Sequence, residues 1–308
     1  MKPNSFQELR RIGDSVRRDL TEPDLSAVDT SEQTAMSIIK AAENRVLIAA
    51  HRGVCGGNIP CNSMPAFKAA LAQGADIIEL DIARSSDGIL YVYHPGTEHI
   101  FLLSDKLISE MTHNEVEKLR LVNQDNTPTP WGVERLEDVL CFLRGKCFIN
   151  LDKFWTCPEE IASVVRKLGM QDQVLIKTSN TEADFRRVEQ TAWDIPYIVI
   201  ARDRDDFTDE LLHRRIRYIG VEALFDSEDA PIAQQSYTDS MSKKQLVTWA
   251  NGIVYDYKAI LSAGHNDDVS VCENPDLGWG WLVDRGFRII QTDWALALDL
   301  YLHKRNLR

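Results

Sequence analysis

Long apolar runs are missing from this chain of 308 residues; the longest are of strand length, which argues against a membrane-spanning helix and against stable insertion into a bilayer. The opening Met1-Lys2-Pro3-Asn4-Ser5-Phe6 lacks the apolar stretch of a signal peptide, so a cytoplasmic location is expected. No basic block offsets the net charge of −12, which argues against a nucleic-acid partner. An anionic substrate would then have to be held by local cations. The six cysteines (Cys55, Cys61, Cys141, Cys147, Cys157, Cys272) include no Cys-x-x-Cys and no zinc spacing, and are expected to be reduced. Cys55 and Cys61 share one loop, where a redox role stands beside the plainer reading of small apolar residues. Internal repeats, low-complexity tracts and Pro/Ser-rich linkers are absent too.

What is present is an ordinary globular composition, 44% hydrophobic and 27% charged, long enough for one large barrel or two domains. Residues 5–20 carry Phe6, Leu9, Ile12, Val16 and Leu20 at helical spacing, and Ser31 begins a second helix. Residues 1–45 are therefore expected to form a helical extension packed on a main domain of residues 46–308. From Val46 onward short apolar strands alternate with helical patterns, which implies a parallel sheet. The strands read as Val46–Ala50, Asp76–Asp81, Leu90–His94, Phe148–Asp152, Val174–Lys177, Tyr197–Ala201, Tyr218–Ala223, Leu246–Ala250 and Phe287–Thr292. One connection, 82–89, is too short for a parallel crossover and contains the hairpin signal Asp87-Gly88. A two-residue turn there would pair 83 with 92 and set Asp81 opposite His94. Eight parallel strands then remain. The expected fold is α/β: a TIM-like (β/α)8 barrel with an N-terminal helical extension and a hairpin and insertion after the second strand. Residues 95–135, with a helix over 114–121, form the insertion and are expected to cap the site. A helix is expected over 134–143.

The chemistry concentrates between residues 50 and 94. His51 and Arg52 follow an apolar strand, Glu79 and Asp81 share one strand face opposite Ile78 and Leu80, and His94 follows the hairpin. Two like charges on one buried face are costly unless a cation or hydrogen bonds offset them. Glu79 and Asp81 thus suit a divalent cation, Arg52 suits a phosphoryl group, and His51 and His94 suit proton transfer near neutral pH. That is equipment for cleaving a phosphodiester. The plain alternatives are a strand-end histidine satisfied by backbone and a salt-bridge network at the barrel end. Asn150 and Asp152 share a face of the next strand; Asp152 is the better third ligand because it is charged. Lys153 and Lys177 would add charge near a phosphate. The run Val174-Leu175-Ile176-Lys177 also resembles the Schiff-base segment of deoxyribose-phosphate aldolases. Glu222 would line the pocket or form a structural ion pair. Trp249 and Asn251 would offer a substrate a flat wall and an amide, with core packing as the alternative for Trp249. Asp293 would cap the last helix or orient Arg52, capping being the favoured reading.

Taken in order, His51-Arg52-Gly53, a helix over 64–73, Gly74-Ala75-Asp76-Ile77-Ile78-Glu79-Leu80-Asp81, the Asp87-Gly88 turn, His94 and Ile290-Gln291-Thr292-Asp293 make a recognisable pattern. From about Val46 to Leu302 the chain resembles the glycerophosphodiester phosphodiesterase family, whose barrel chemistry is shared with phosphatidylinositol-specific phospholipases and sphingomyelinase D-like enzymes. The resemblance implies a TIM-like barrel, a divalent cation (Mg2+ or Ca2+) and hydrolysis of a small glycerophosphodiester to glycerol 3-phosphate and an alcohol. It implies His51 and His94 as the acid–base pair, Arg52 on the phosphate, and Glu79, Asp81 and Asp152 on the metal. Three positions depart from the family pattern. Pro60-Cys61-Asn62-Ser63 stands for a Pro-Glu-Asn-Thr-like motif, Pro95 stands for an aspartate after the second histidine, and Asn150-Leu151-Asp152-Lys153 stands for Glu-x-Lys. Sphingomyelinase D-like relatives use aspartate as third ligand, which favours Asp152. The rival readings are a cyclising lipid phosphodiesterase and a phosphoester-binding barrel without catalysis, the latter motivated by the acids lost at Cys61 and Pro95.

Overall fold

The computed structural model of the protein describes residues 38–255 and 258–308. The expected helix over 5–20 and the start of the second helix at Ser31 lie outside the described residues. The described part of that second helix spans Ile38–Asn44.

Among the described residues ten strands follow: β1 (Leu47–Ala50), β2 (Ile77–Arg84), β3 (Leu90–Val92), β4 (Glu134–Arg135), β5 (Phe148–Asp152), β6 (Val174–Thr178), β7 (Tyr197–Arg202), β8 (Tyr218–Leu224), β9 (Val247–Asn251) and β10 (Ile289–Thr292). Parallel neighbours run β1-β10-β9-β8-β7-β6-β5-β2, and β1 pairs again with β2. The circuit closes eight strands into the expected TIM-like barrel, with helices such as Met64–Ala72, Pro158–Lys167, Glu182–Thr191 and Ala295–Lys304 between them.

The period-2 alternation of strands sorts the core into two layers. Outward residues such as Ile48, Ile78, Leu80 and Leu151 pack under the helices against Phe67, Leu140 and Ile161. Inward residues Leu47, Ile77, Leu175, Ile198, Val247, Trp249 and Ile289 fill the lower barrel, and Ile38, Ala41 and Ala42 of the helix Ile38–Asn44 pack into the same cluster. Higher up the interior turns polar.

Three local features differ from the sequence reading. First, β3 is antiparallel to β2 as expected, but Ala83 faces Tyr91 and Ile82 faces Val92. The register is therefore shifted by one, and Asp81 stands opposite Tyr93, whose N–H donates to the Asp81 carbonyl at 2.9 Å. The loop is one residue longer than a two-residue turn, with Gly88 at φ +90°. Second, residues 134–135 are not helical; they pair with β3 as β4, and the helix runs Leu136–Leu143. Third, the helix expected over 114–121 is the single turn His113–Val116. The 95–135 segment builds a small core of its own against the hairpin, from Leu102, Ile108, Met111, Val116, Leu121 and Val133 with Tyr91 and Tyr93.

Candidate active site

The inward side chains at the carboxyl-terminal ends of the strands form the site. Register brings Glu79 of β2 beside Asn150 of β5, and Asp81 beside Asp152. Ligand oxygens of Glu79, Asp81 and Asp152 lie within 4.8 Å of one another, and all three residues are buried. Burial and then Asp81 lift the Glu79 carboxyl to about 7. Burial opposes charge on Asp152 as well, but Lys177 and Lys153 outweigh it and hold that carboxyl down at about 2.

Arg52 has a left-handed backbone, φ +56°, immediately after β1. That turn aims its N–H at Glu79 Oε2, 3.0 Å away, and its Nε at Asp81 Oδ2, 2.9 Å away. Gly53 follows at φ +77°, and a Cβ there would lie 2.8 Å from the Ala66 carbonyl carbon, so the helix Met64–Ala72 packs directly on the turn. Asn62 holds Asp81 twice: its Nδ2 donates to Oδ2 at 2.9 Å, and its Oδ1 accepts from the Asp81 N–H at 3.3 Å. His94 reaches the same carboxylate, with Nε2 3.9 Å from Asp81 Oδ1. Its pKa is lowered, by burial above all. Arg52 and His94 sit on one flank of the acids, bordered by Tyr93, Thr97 and Phe101.

On the other flank opens a pocket of about 150 Å³, lined by His51, Glu79, Asp152, Lys153, Lys177, Glu222, Asn251 and Gln291, with Trp155 and Tyr255 at its exposed edge. Lys153, also in a left-handed conformation (φ +62°), places Nζ 2.8 Å from Asp152 Oδ2 and 3.8 Å from Asp81 Oδ1. Lys177 Nζ is 2.7 Å from Glu222 Oε2, and Asn251 Nδ2 donates to Glu222 Oε1 at 2.8 Å. Burial works against the Lys177 charge, but Glu222, Asp152 and Glu79 raise its pKa. With its ammonium paired to the Glu222 carboxylate, Lys177 stands as a charged residue of the pocket rather than a Schiff-base nucleophile. A larger cavity, about 430 Å³, lies at the opposite barrel end near Arg45, Asp76 and Arg144 and contains none of these groups.

Two expectations are corrected. Trp249 does not wall the pocket; it is fully buried one pleat below Asn251, with Lys177 Nζ 5.3 Å from its ring. Asp293 does not cap the helix Ala295–Lys304, which has no side-chain cap, nor does it orient Arg52. Its Oδ1 lies 2.9 Å from His51 Nδ1. Burial opposes protonation of His51, yet this hydrogen bond and the charge of Glu79 raise its pKa above 6.5. Asp267 fixes this corner: its carboxylate accepts from the Asp293 N–H, Thr292 Oγ1 and Trp279 Nε1 at 2.7–2.8 Å. Sequence reasoning missed Asn62 and Gln291 as site residues. The signal for Asn62 was its place in the Pro60–Ser63 motif; that for Gln291 was the inward phase of β10.

A model of the glycerophosphoryl diester phosphodiesterase family matches residues 51–248, about two thirds of the chain. The chain belongs to that family. A second family model, described only as a domain of unknown function, overlaps it at residues 197–302. Among relatives of the family, the glycerophosphodiester phosphodiesterase of Caldanaerobacter subterraneus is 39% identical over 146 residues, 44% of this chain and 59% of that protein. The chain thus aligns with under two thirds of that curated relative's length. A glycerophosphoryl diester phosphodiesterase structure from Parabacteroides distasonis superposes with a TM-score of 0.70 over 90% of this chain and 93% of the other, at 17% identity. An Oleispira antarctica phosphodiesterase, solved in complex with sn-glycerol-3-phosphate, superposes with a TM-score of 0.59 over 84% and 99%, also at 17% identity. Both likenesses support the barrel fold of the family. Among the described residues no helix is long and apolar enough to cross a membrane.

The residues present fit a divalent cation. The donors are hard carboxylate oxygens, as Mg2+ and Ca2+ require. The buried Asn150 Oδ1, one pleat below Asp152, has no hydrogen-bond partner among the described residues.

Proposed function

We propose that this chain hydrolyses glycerophosphodiesters to glycerol 3-phosphate and an alcohol, with a divalent cation held by Glu79, Asp81 and Asp152. The observation that carries the reading is one carboxylate, Asp81, facing a guanidinium, an imidazole and two further acids at the barrel rim. The bound cation would supply Lewis-acid neutralisation of the phosphoryl charge. Arg52 is anchored by its backbone N–H on Glu79 and by the ion pair of its guanidinium with Asp81, and it would present the remainder of its planar fork to the same phosphoryl group. Asp293 accepts from Nδ1–H of His51, which turns Nε2 toward the substrate as the proton-exchanging atom. His94 supplies the second imidazole from the Arg52 side. One histidine removes the proton of the attacking hydroxyl and the other protonates the departing alkoxide. Lys153 and Lys177 lend positive charge to an otherwise acidic pocket, and Glu222 and Asn251 offer hydrogen bonds to substrate hydroxyls. The product held by the Oleispira relative supports this choice of substrate.

The test is a panel of glycerophosphocholine, -ethanolamine, -inositol and -glycerol, each with Mg2+, Ca2+ or chelator, followed by phosphorus NMR. Glycerol 3-phosphate should form only with a cation present. His51→Ala and His94→Ala should each lower kcat by about 10³-fold. Near-normal rates in either variant would discard the two-imidazole scheme. A persistent cyclic phosphate would favour the cyclising reading, and binding without turnover would favour the non-catalytic one.

A further inference from the structure

The loop between Arg52 and Asn62 is closed on itself. The Asn62 N–H donates to the Arg52 carbonyl at 2.9 Å, and inside that closure Gly56 and Ile59 exchange two backbone hydrogen bonds at 3.0 Å. Cys55 and Cys61 stand on the two legs of this small hairpin, and each thiol acts on the ionisation of the other. Cys55 is exposed, while Cys61 is partly covered. Charges of the site act on both: His51 and Asp293 on Cys55, Arg52 and Asp81 on Cys61.

We infer that Cys55 and Cys61 form a peroxide-sensitive dithiol at the rim of the active site, closing to a disulfide under oxidation and reopening under thiol reductants. The nucleophile is Cys55. Interaction with Cys61 lowers its thiol to about 7, whereas Cys55 and burial push Cys61 up. An exposed thiolate with a second thiol on the facing leg of the same closed hairpin has both the reactivity and the resolving partner that reversible oxidation requires. Burial lifts the thiol of Cys147 to about 12, which leaves it inert by comparison. In the first step the Cys55 thiolate attacks a hydrogen peroxide oxygen. An S–O bond forms, the O–O bond breaks, and hydroxide leaves a sulfenic acid. In the second step the Cys61 sulfur attacks the Cys55 sulfur. The S–S bond forms, the S–O bond breaks, and the oxygen departs as water with the Cys61 proton. Two thiols and one peroxide thus give one disulfide and two waters.

A disulfide draws the two sulfurs to about 2.05 Å. That movement displaces Cys61 and, with it, the adjoining Asn62 that holds Asp81 from two sides. This consequence for turnover rests on the proposed function; the thiol chemistry does not. The experiment treats the reduced full-length protein with hydrogen peroxide and reads thiol count, a non-reducing peptide map by mass spectrometry, and phosphodiesterase rate. Two of the six thiols should disappear into one Cys55–Cys61 crosslink that dithiothreitol reverses. The rate should fall about tenfold and recover on reduction. Cys61→Ser should leave a Cys55 sulfenic acid that dimedone traps, and Cys55→Ser should retain all its remaining thiols. Six intact thiols after treatment, a crosslink mapping elsewhere, or the same thiol loss in Cys55→Ser would overturn the inference. A reduced protein without phosphodiesterase activity would count against the proposed function and leave the crosslink readout decisive.

Discussion

Asp293 favours one tautomer of His51, because a carboxylate 2.9 Å from Nδ1 accepts a hydrogen bond from the N–H there and leaves Nε2 as the exchanging atom. In Asp293→Asn the amide can donate as well as accept, so the ring loses its preference. Turnover should fall by about 10²-fold or more with little change in KM, a split that steady-state kinetics reads directly. Glu79 makes a different prediction. Burial and Asp81 raise its carboxyl from an ordinary 4.5 to about 7. A carboxyl raised in the folded state stabilises the fold fully below its unfolded pKa, and that contribution is lost as the pH climbs through the folded one. The cation-free protein should therefore lose thermal stability between about pH 5 and about pH 8. Mg2+ or Ca2+ should restore Tm most at the upper end, where the ion takes the place of the proton. A Tm that ignores both pH and cation in thermal unfolding would remove the metal site.

At the scale of elements, β8 shows how a strand irregularity aims a side chain. Its register to β7 slips just before Gly220, and a Cβ on Gly220 would come within 2.0 Å of the Val247 carbonyl oxygen. Gly220→Ala should cost about 3 kcal/mol in denaturant unfolding. It should also shift Glu222, two residues on, away from Lys177. The sequence made the eight parallel strands legible because apolar alternation is local information, and period 2 put Glu79 with Asp81, and Asn150 with Asp152, on shared faces. The hairpin register was not legible. Asp87-Gly88 serves a two- or a three-residue loop, and Ser85 decides between them. Its N–H donates to the Ile89 carbonyl and its hydroxyl accepts from the Ile89 N–H, both at 2.9 Å. His94 still arrives at Asp81 because β3 stops at Val92 and the chain turns. The His51–Asp293 pair was hidden for another reason. The two residues are 242 positions apart and meet only because Ala50 pairs with Thr292 where the barrel closes.

Over the whole molecule the barrel interior changes character along its axis. Its lower layers are apolar and joined by Ile38, Ala41 and Ala42 from the helix Ile38–Asn44. Its upper layer holds Glu79, Asn150, Lys177, Glu222, Asn251 and Gln291, all buried. The apolar half supplies stability and the polar half carries the proposed site, so a lesion in the helix should act on the fold and spare the proposed chemistry. Ala42→Asp tests this division. It would bury a carboxylate in the apolar cluster of Leu47, Ile77 and Ile289, at a cost of about 3 kcal/mol. The denaturation midpoint should drop accordingly, while kcat per folded molecule stays near that of the unaltered protein. A variant that kept its midpoint but lost kcat would mean that the helix and the rim are mechanically coupled through the barrel, and that the two halves are not separable.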